Sequence, residues 1–334
     1  MEPYERAVPE GQEAWLILYS TVDSAGAPTV GSGVVVAATE RGTDPLPTVT
    51  IAPGTNGIIQ ECAPSLKNNI FVTGHEHALT EHLIPAGCAG VIADYNGLGT
   101  RGPHAYLDGE TAARNVLDAR LAAAQIPELA LDETTVIWGH SQGGGAALWT
   151  AAISAEYAPD LEVQGMAAAA PAADLPTIAA DIADATAGKT ITAYLVRSWQ
   201  EAFDDDTSEF MTAGYQPIVD RISQRCFEGR DALANLADAS QLSSPILQKG
   251  ALGSFGELLA AKIPPAISQS PVLIAQGESD QLIRAARQRE FAQNQCDSGQ
   301  NLEYRSYPNL DHMPPRGTRF ALYFGFDFVD TPHA

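Results

Sequence analysis

Basic residues are scarce. Nineteen lysines and arginines stand against 41 aspartates and glutamates in 334 residues, a formal net charge of −22. A surface that acidic repels phosphate backbones, which argues against nucleic acid as a partner and against strongly anionic substrates. Long apolar runs are missing too, and none reaches the ~18 residues of a membrane-spanning helix. The first residues, MEPYERAVPEG, have neither a basic nor an apolar stretch, so no export signal is legible in them. There are only four cysteines, and none forms a CxxC pair, which removes zinc and thioredoxin-like readings on spacing. The even count suits two disulfides in an exported protein whose signal lies outside this chain. Keeping each bridge within one part of the chain predicts Cys62–Cys88 and Cys226–Cys296.

What is present is an ordinary globular composition. Apolar residues make up 45%, enough for a buried core and too many for a disordered chain. Strands are expected at 14–20, 32–38, 47–53, 88–95, 134–139, 163–173, 270–277 and 301–308, the first two joined as a hairpin by DSAGAP. Helical spacing of apolar residues covers 109–125 and 282–295, a glycine- and alanine-rich helix opens after residue 142, and a closing helix is expected over 317–328. Strands alternating with helices imply parallel βαβ units, and the opening hairpin makes the sheet mixed. Residues 175–265 carry helical patterns with little strand signal, and ninety residues is too long for a simple crossover. The expected organisation is an α/β core at 1–174 and 266–334, with a helical cap inserted at 175–265.

The stretch VIWGHSQGGGAA, 136–147, carries the chemistry. Gly139-His140-Ser141-Gln142-Gly143 fits G-x-S-x-G, in which a serine sits on a sharp strand-to-helix turn with its oxygen projecting above the sheet edge. The backbone N–H of Gln142 then faces the same point from the helix N-terminus. A serine hydroxyl needs a base, and the base an orienting acid, in the chain order serine, acid, histidine. Of seven histidines only His312 and His333 follow Ser141. His333 is penultimate, where chains fray, which leaves His312 on the loop YPNLDHMPP. The acid should follow the strand VLIAQG. Glu278 and Asp280 both do, and Asp280, further out on the loop, is the better placed. Asp311 reads as a loop-shaping residue. A second oxyanion donor should come from a glycine-bearing loop beside the nucleophile, either PGTNG (53–57) or DYNGLG (94–99).

His75-Glu76-His77 with His82 lacks a fourth ligand at an identifiable spacing, and the acidic run at 204–206 lacks the alternating ligands of a calcium loop, so no metal and no cofactor are expected.

Four stretches in order, ADYNGLGTRGPHAYLDG at 93–109, GHSQGG at 139–144, QGESDQLI at 276–283 and YPNLDH at 307–312, resemble the secretory lipase family, as do the opening hairpin and CAPS at 62–65. The resemblance implies an α/β-hydrolase fold with a helical cap and hydrolysis of carboxylic esters. It implies Ser141, Asp280 and His312 as the triad. It also implies Asp94 as the oxyanion residue working with the Gln142 amide, through a protonated carboxyl or its own backbone N–H. The family's His-Gly-Thr after the third strand stands here as Pro53-Gly54-Thr55, a change in the pocket wall or in the support of the oxyanion loop. The expected partner is a small-molecule or lipid ester, with transient contact to a lipid interface within reach of such a protein. An acyltransferase, an amide-cleaving enzyme or a non-catalytic binding protein could use the same scaffold.

Overall fold

The computed structural model describes residues 1–72, 74–204, 207–248, 250, 254–266 and 270–313. The closing helix expected over 317–328, His333, and Asp205 and Asp206 of the acidic run lie outside the described residues. Among these residues nine strands form one sheet: β1 (Glu2–Pro3), β2 (Gln12–Val22), β3 (Pro28–Ala38), β4 (Leu46–Ala52), β5 (Ala89–Ala93), β6 (Leu131–His140), β7 (Glu162–Ala169), β8 (Val272–Gly277) and β9 (Leu302–Tyr307). They lie in the order β1-β2-β3-β5-β4-β6-β7-β8-β9. The hairpin β2–β3 runs antiparallel, β3 pairs antiparallel with β5, and from β5 to β9 every pairing is parallel. All eight expected strands are present. The two-residue edge strand β1 is additional, too short to leave a periodic signal.

The central strands read as continuous apolar runs because both faces of the sheet are covered. In β6, Ile137 points to one face and Trp138 to the other. Helices α2 (Gly109–Ala123), α3 (Gln142–Tyr157) and α9 (Ala285–Asp297) contribute to the apolar cluster on the Ile137 face. On the Trp138 face, Ile70 and Phe71 pack with Ala78 of the short α1 (Gly74–Ala78) and with Leu79 and Leu83 of the π-turn that follows. Between β7 and β8 the described residues form α4 (Leu175–Ile182), α5 (Thr186–Ala202), α6 (Gln216–Ser223), α7 (Gly229–Ala239) and α8 (Ser254–Ala260). These helices share a cluster of their own around Tyr194, Trp199, Leu242 and Phe255, joined by Ile58 and Tyr106 from outside the segment. No described helix is long and apolar enough to cross a membrane.

The disulfide expectation is corrected by the fold. One bridge joins Cys62 to Cys226, while Cys88 and Cys296 are free thiols. Cys62 lies beyond the C-terminal end of β4, whereas Cys88 immediately precedes the N-terminal end of β5, which runs parallel to β4. A five-residue strand separates those two ends by about 16 Å, far more than a disulfide spans. Cys226 reaches Cys62 because the turn after α6 packs onto the loop after β4: Phe227 N–H donates to Asn56 O at 2.8 Å. Cys296, near the end of α9, is exposed. The bridge therefore ties the helical segment to the core across a sequence separation of 164.

Closing so long a loop restricts the unfolded chain strongly. Cys226→Ser, or reduction of the wild-type protein, should lower stability by about 2–5 kcal/mol, seen as a lower urea midpoint. Cys296→Ser should leave the midpoint unchanged; equal effects of the two substitutions would contradict this pairing.

Candidate active site

Ser141 stands between β6 and α3 with φ 56° and ψ −118°, in the left-handed half of backbone space that a non-glycine residue enters only under constraint. The constraint is visible. Ser141 N–H donates to Ala169 O at 2.9 Å, and its carbonyl accepts from Gly145 N–H at 3.1 Å and Ala172 N–H at 2.9 Å. Glycine is forced around it by close approach. A Cβ on Gly139 would strike the carbonyl of Gly143, and one on Gly143 would strike the carbonyl of Ala52 at the end of β4. Three glycines in a first helical turn cost up to about 1 kcal/mol each relative to alanine. Overlaps of that depth with backbone atoms would cost more, so glycine wins.

The acid and the histidine arrive on neighbouring loops. Ser279 N–H donates to Leu310 O at 2.9 Å, and Asp311 Oδ1 accepts from His312 N–H at 2.7 Å and Gln281 N–H at 3.3 Å. The loop after β8 is thereby fastened to the loop after β9. His312 Nε2 lies 2.9 Å from Ser141 Oγ, and His312 Nδ1 lies 2.8 Å from Asp280 Oδ2. Asp280 is buried, and its carboxylate also accepts from the N–H groups of Leu282 and Ile283, both at 2.8 Å, and from Gln276 Nε2 at 3.0 Å. Since an ionised carboxylate only accepts, Nδ1 of His312 carries the proton and Nε2 is bare towards the serine. Glu278, the other sequence candidate, is exposed and pairs with Arg289 at 3.1 Å.

Three groups at this site had no place in the sequence reading. His140 Nε2 donates to His312 O at 2.9 Å, and the two rings lie 4.7 Å apart. Gln276 anchors the acid loop, its amide nitrogen reaching Gly277 O, Ile283 O and Asp280. His104 is buried, stacked on Tyr95 with centroids 5.7 Å apart, and its Nε2 lies 3.2 Å from Gln142 Nε2. Its Nδ1 faces Asn96 O at 3.2 Å. Signals existed for two of them: Gln276 precedes the acid within QGESD, and His104 lies inside the stretch 93–109.

Asp94 is not brought to the serine, which corrects the oxyanion expectation. It follows β5, and β4 lies between β5 and β6, so it stands two strand spacings, roughly 9–10 Å, from the nucleophile strand. Its N–H donates to Ser32 O at 2.7 Å. Its carboxyl oxygens are taken by Ser32 Oγ at 2.6 Å and Ser65 N–H at 3.0 Å. Burial pushes this carboxyl above the usual carboxylate range, against the Ser32 and Ser65 hydrogen bonds and nearby Lys67. The other loop left open by the sequence, 53–57, follows β4, the strand next to β6, and a Cβ on Gly54 would lie 3.3 Å from His140 O. The N–H groups of Thr55 and Gln142 find no acceptor among the described residues. No cluster of three or more histidine, cysteine or acidic side chains that could hold a metal ion occurs among those residues either.

A mostly parallel sheet with a serine elbow after β6 and acid and histidine loops after β8 and β9 defines an α/β-hydrolase. The fold is similar to that of Candida antarctica lipase A, with a TM-score of 0.76 at 17% identity over 98% of this chain and 82% of that one. A putative hydrolase of Legionella pneumophila aligns at TM-score 0.80 and 19% identity, over 97% and 90% of the two chains. In sequence, Lipase 5 of Candida albicans is 25% identical over 324 residues, 90% of this chain and 68% of the relative. The model of the secretory lipase family matches residues 64–319, and the chain belongs to that family. Its activity is that of a lipase or esterase, a hydrolase of carboxylic esters.

Desolvation lowers the pKa of His104 to about 4, against the Asn96 hydrogen bond. An unfolded chain protonates an imidazole near pH 6.5. Between those values unfolding takes up a proton, so stability falls as pH falls, by at most about 1.4 kcal/mol per pH unit. His104→Gln, which cannot titrate, should lose its urea midpoint less steeply than wild type from pH 6.5 to 4.5. Parallel slopes would mean that His104 is charged in the folded protein.

Proposed function

We propose that Ser141, His312 and Asp280 hydrolyse carboxylic esters bearing apolar acyl groups through an acyl-enzyme. The observation that carries this reading is the unbroken line from Ser141 Oγ to His312 Nε2 at 2.9 Å and from His312 Nδ1 to Asp280 at 2.8 Å. Ser141 Oγ attacks the acyl carbon as His312 Nε2 takes its proton. The imidazolium so formed is stabilised by Asp280, which also fixes the ring's tautomer. His312 then protonates the departing alkoxide. Water, deprotonated by the same nitrogen, attacks the acyl-enzyme and releases the acid. The tetrahedral oxyanion is met by the Gln142 N–H and by an N–H of the loop 53–57, Thr55 being the donor of choice in place of Asp94. No step calls for a cofactor.

The helices between β7 and β8 act as the cap, and residues 1–174 and 266–334 as the core that carries the chemistry. Lipid esters are the substrate class this family points to. Secretion fits both the family and the Cys62–Cys226 bridge, since disulfides persist in oxidising compartments.

Hydrolysis of p-nitrophenyl esters from C2 to C16 tests the reading. Ser141→Ala should abolish turnover, and Asp280→Asn should lower kcat by roughly 10⁴-fold, the loss seen when the orienting acid of such a triad is neutralised. Undiminished turnover by Ser141→Ala would remove the elbow from the chemistry. The chain length at which kcat/KM peaks separates an esterase from a lipase.

A further inference from the structure

The stretch 93–109 contributes His104-Ala105-Tyr106, three residues that the chemistry above does not use. All three are buried. The side chains of His104 and Tyr106 face the nucleophile's surroundings. Because Asn96 O can only accept, His104 Nδ1 carries the ring proton and Nε2 accepts from the side-chain amide of Gln142. Tyr106 OH lies 2.8 Å from Thr55 Oγ1, so the same short segment grips the loop that follows β4. Their main chain faces the other way, onto α5 between β7 and β8. Ser198 Oγ donates to His104 O at 2.5 Å and accepts from Tyr106 N–H at 2.7 Å, while Trp199 Nε1 donates to Tyr106 O at 2.9 Å.

We propose that His104–Tyr106 is a positioning segment that couples the seat of helix α5 to both donors of the oxyanion pocket. This rests on the reading of Gln142 and Thr55 as those donors. The physical ground is that every hydrogen bond in the chain is buried except the part-buried one between Tyr106 and Thr55. A shift of α5 that broke the Ser198 and Trp199 contacts would strand polar groups at high cost, so the segment moves with the helix. Gln142 and Thr55 move with the segment. Donors aimed at the oxyanion act on the transition state rather than on the bound ester, so misplacing them lowers kcat and leaves KM nearly unchanged. The cap helix is thereby a determinant of catalytic rate without touching the substrate's reacting atoms.

Kinetics on a soluble short-chain p-nitrophenyl ester test this. Ser198→Ala and Tyr106→Phe each remove one hydroxyl. Each should lower kcat about 10-fold, less than the 10²–10³-fold of deleting a donor outright, with KM changed less than about twofold. The double variant should fall short of the product of the two losses, since both act through one segment. Ser198→Thr, which keeps the hydroxyl, should restore kcat. Thr207→Val is the control: Thr207 Oγ1 donates to Val196 O, on the same helix but away from the segment. It should lower the thermal midpoint without lowering kcat. Wild-type kcat in both Ser198→Ala and Tyr106→Phe, full multiplicativity, or an equal kcat loss in Thr207→Val would overturn the coupling. Activity surviving in Ser141→Ala would instead overturn the reading beneath it, so the two failures are distinguishable.

Discussion

The backbone of Ser141 is the constraint from which the rest of the site is built. A serine at φ 56° holds roughly 1–3 kcal/mol of strain, and it persists because its surroundings overdetermine it. Its N–H and carbonyl are bound by Ala169, Gly145 and Ala172, which fixes the turn against the end of β7. The glycines that follow let the first turn of α3 lie directly on Ala52 at the end of β4. A larger residue at Gly143 would push the helix off the sheet, and the hydroxyl would lose its register with everything that meets it. The alanines of α3 and β7 follow from the same closeness, since a helix approaching a sheet this tightly leaves little room beyond Cβ.

The histidine is delivered with no secondary structure of its own, so its precision comes from hydrogen bonds to main chain. Leu310 O, the His312 N–H and the His312 carbonyl are each held from a different direction, by Ser279, Asp311 and His140. Asp280 is fixed just as closely by two backbone N–H groups and Gln276 before His312 adds its own proton. The line from acid to serine is therefore preorganised, which is what transition-state stabilisation requires of a charge-bearing relay. His140 belongs both to the elbow and to the histidine loop, and so couples the two parts whose spacing sets the 2.9 Å approach of base to nucleophile.

How much of this was legible follows from how local each feature is. The strand–glycine–serine–helix signature lies within residues 136–147, and elimination among seven histidines needs only chain order, so Ser141 and His312 could be named from sequence, and the structure brings them together. Between Asp280 and Glu278, only reach along the loop separates the two in sequence. The structure explains why reach matters: Glu278 turns outward to Arg289, and the chain must travel two residues further to enter the site. The strands were legible because their apolar runs are bounded by glycine and proline. The disulfide and the oxyanion loop were not, because both depend on strand order. Nothing in the sequence says that β4, not β5, lies beside β6, or that Cys88 sits at the wrong end of its strand for Cys62.

Strand order also changes what the stretch DYNGLG does. Asp94 lies between Ser32 of β3 and Ser65 of CAPS, and its carbonyl accepts from Tyr19 OH of β2 at 2.8 Å. Gly99 is confined by the same pair, since a Cβ there would run into Ser32 Oγ and approach Asp94 Oδ2 to 3.1 Å. A carboxyl raised by burial and answered by two donors is a brace. Removing either donor leaves a buried polar group unpaired, at a cost of about 1–3 kcal/mol. The hairpin, CAPS and DYNGLG, all part of the family resemblance, thus converge on one buried acid that holds the three together. Their specificity as sequence signals comes from that three-way fit. A stretch can therefore identify the family strongly and still stand two strand spacings from the nucleophile strand, while the less marked Pro53-Gly54-Thr55, on the loop after the neighbouring β4, is the one placed against the elbow.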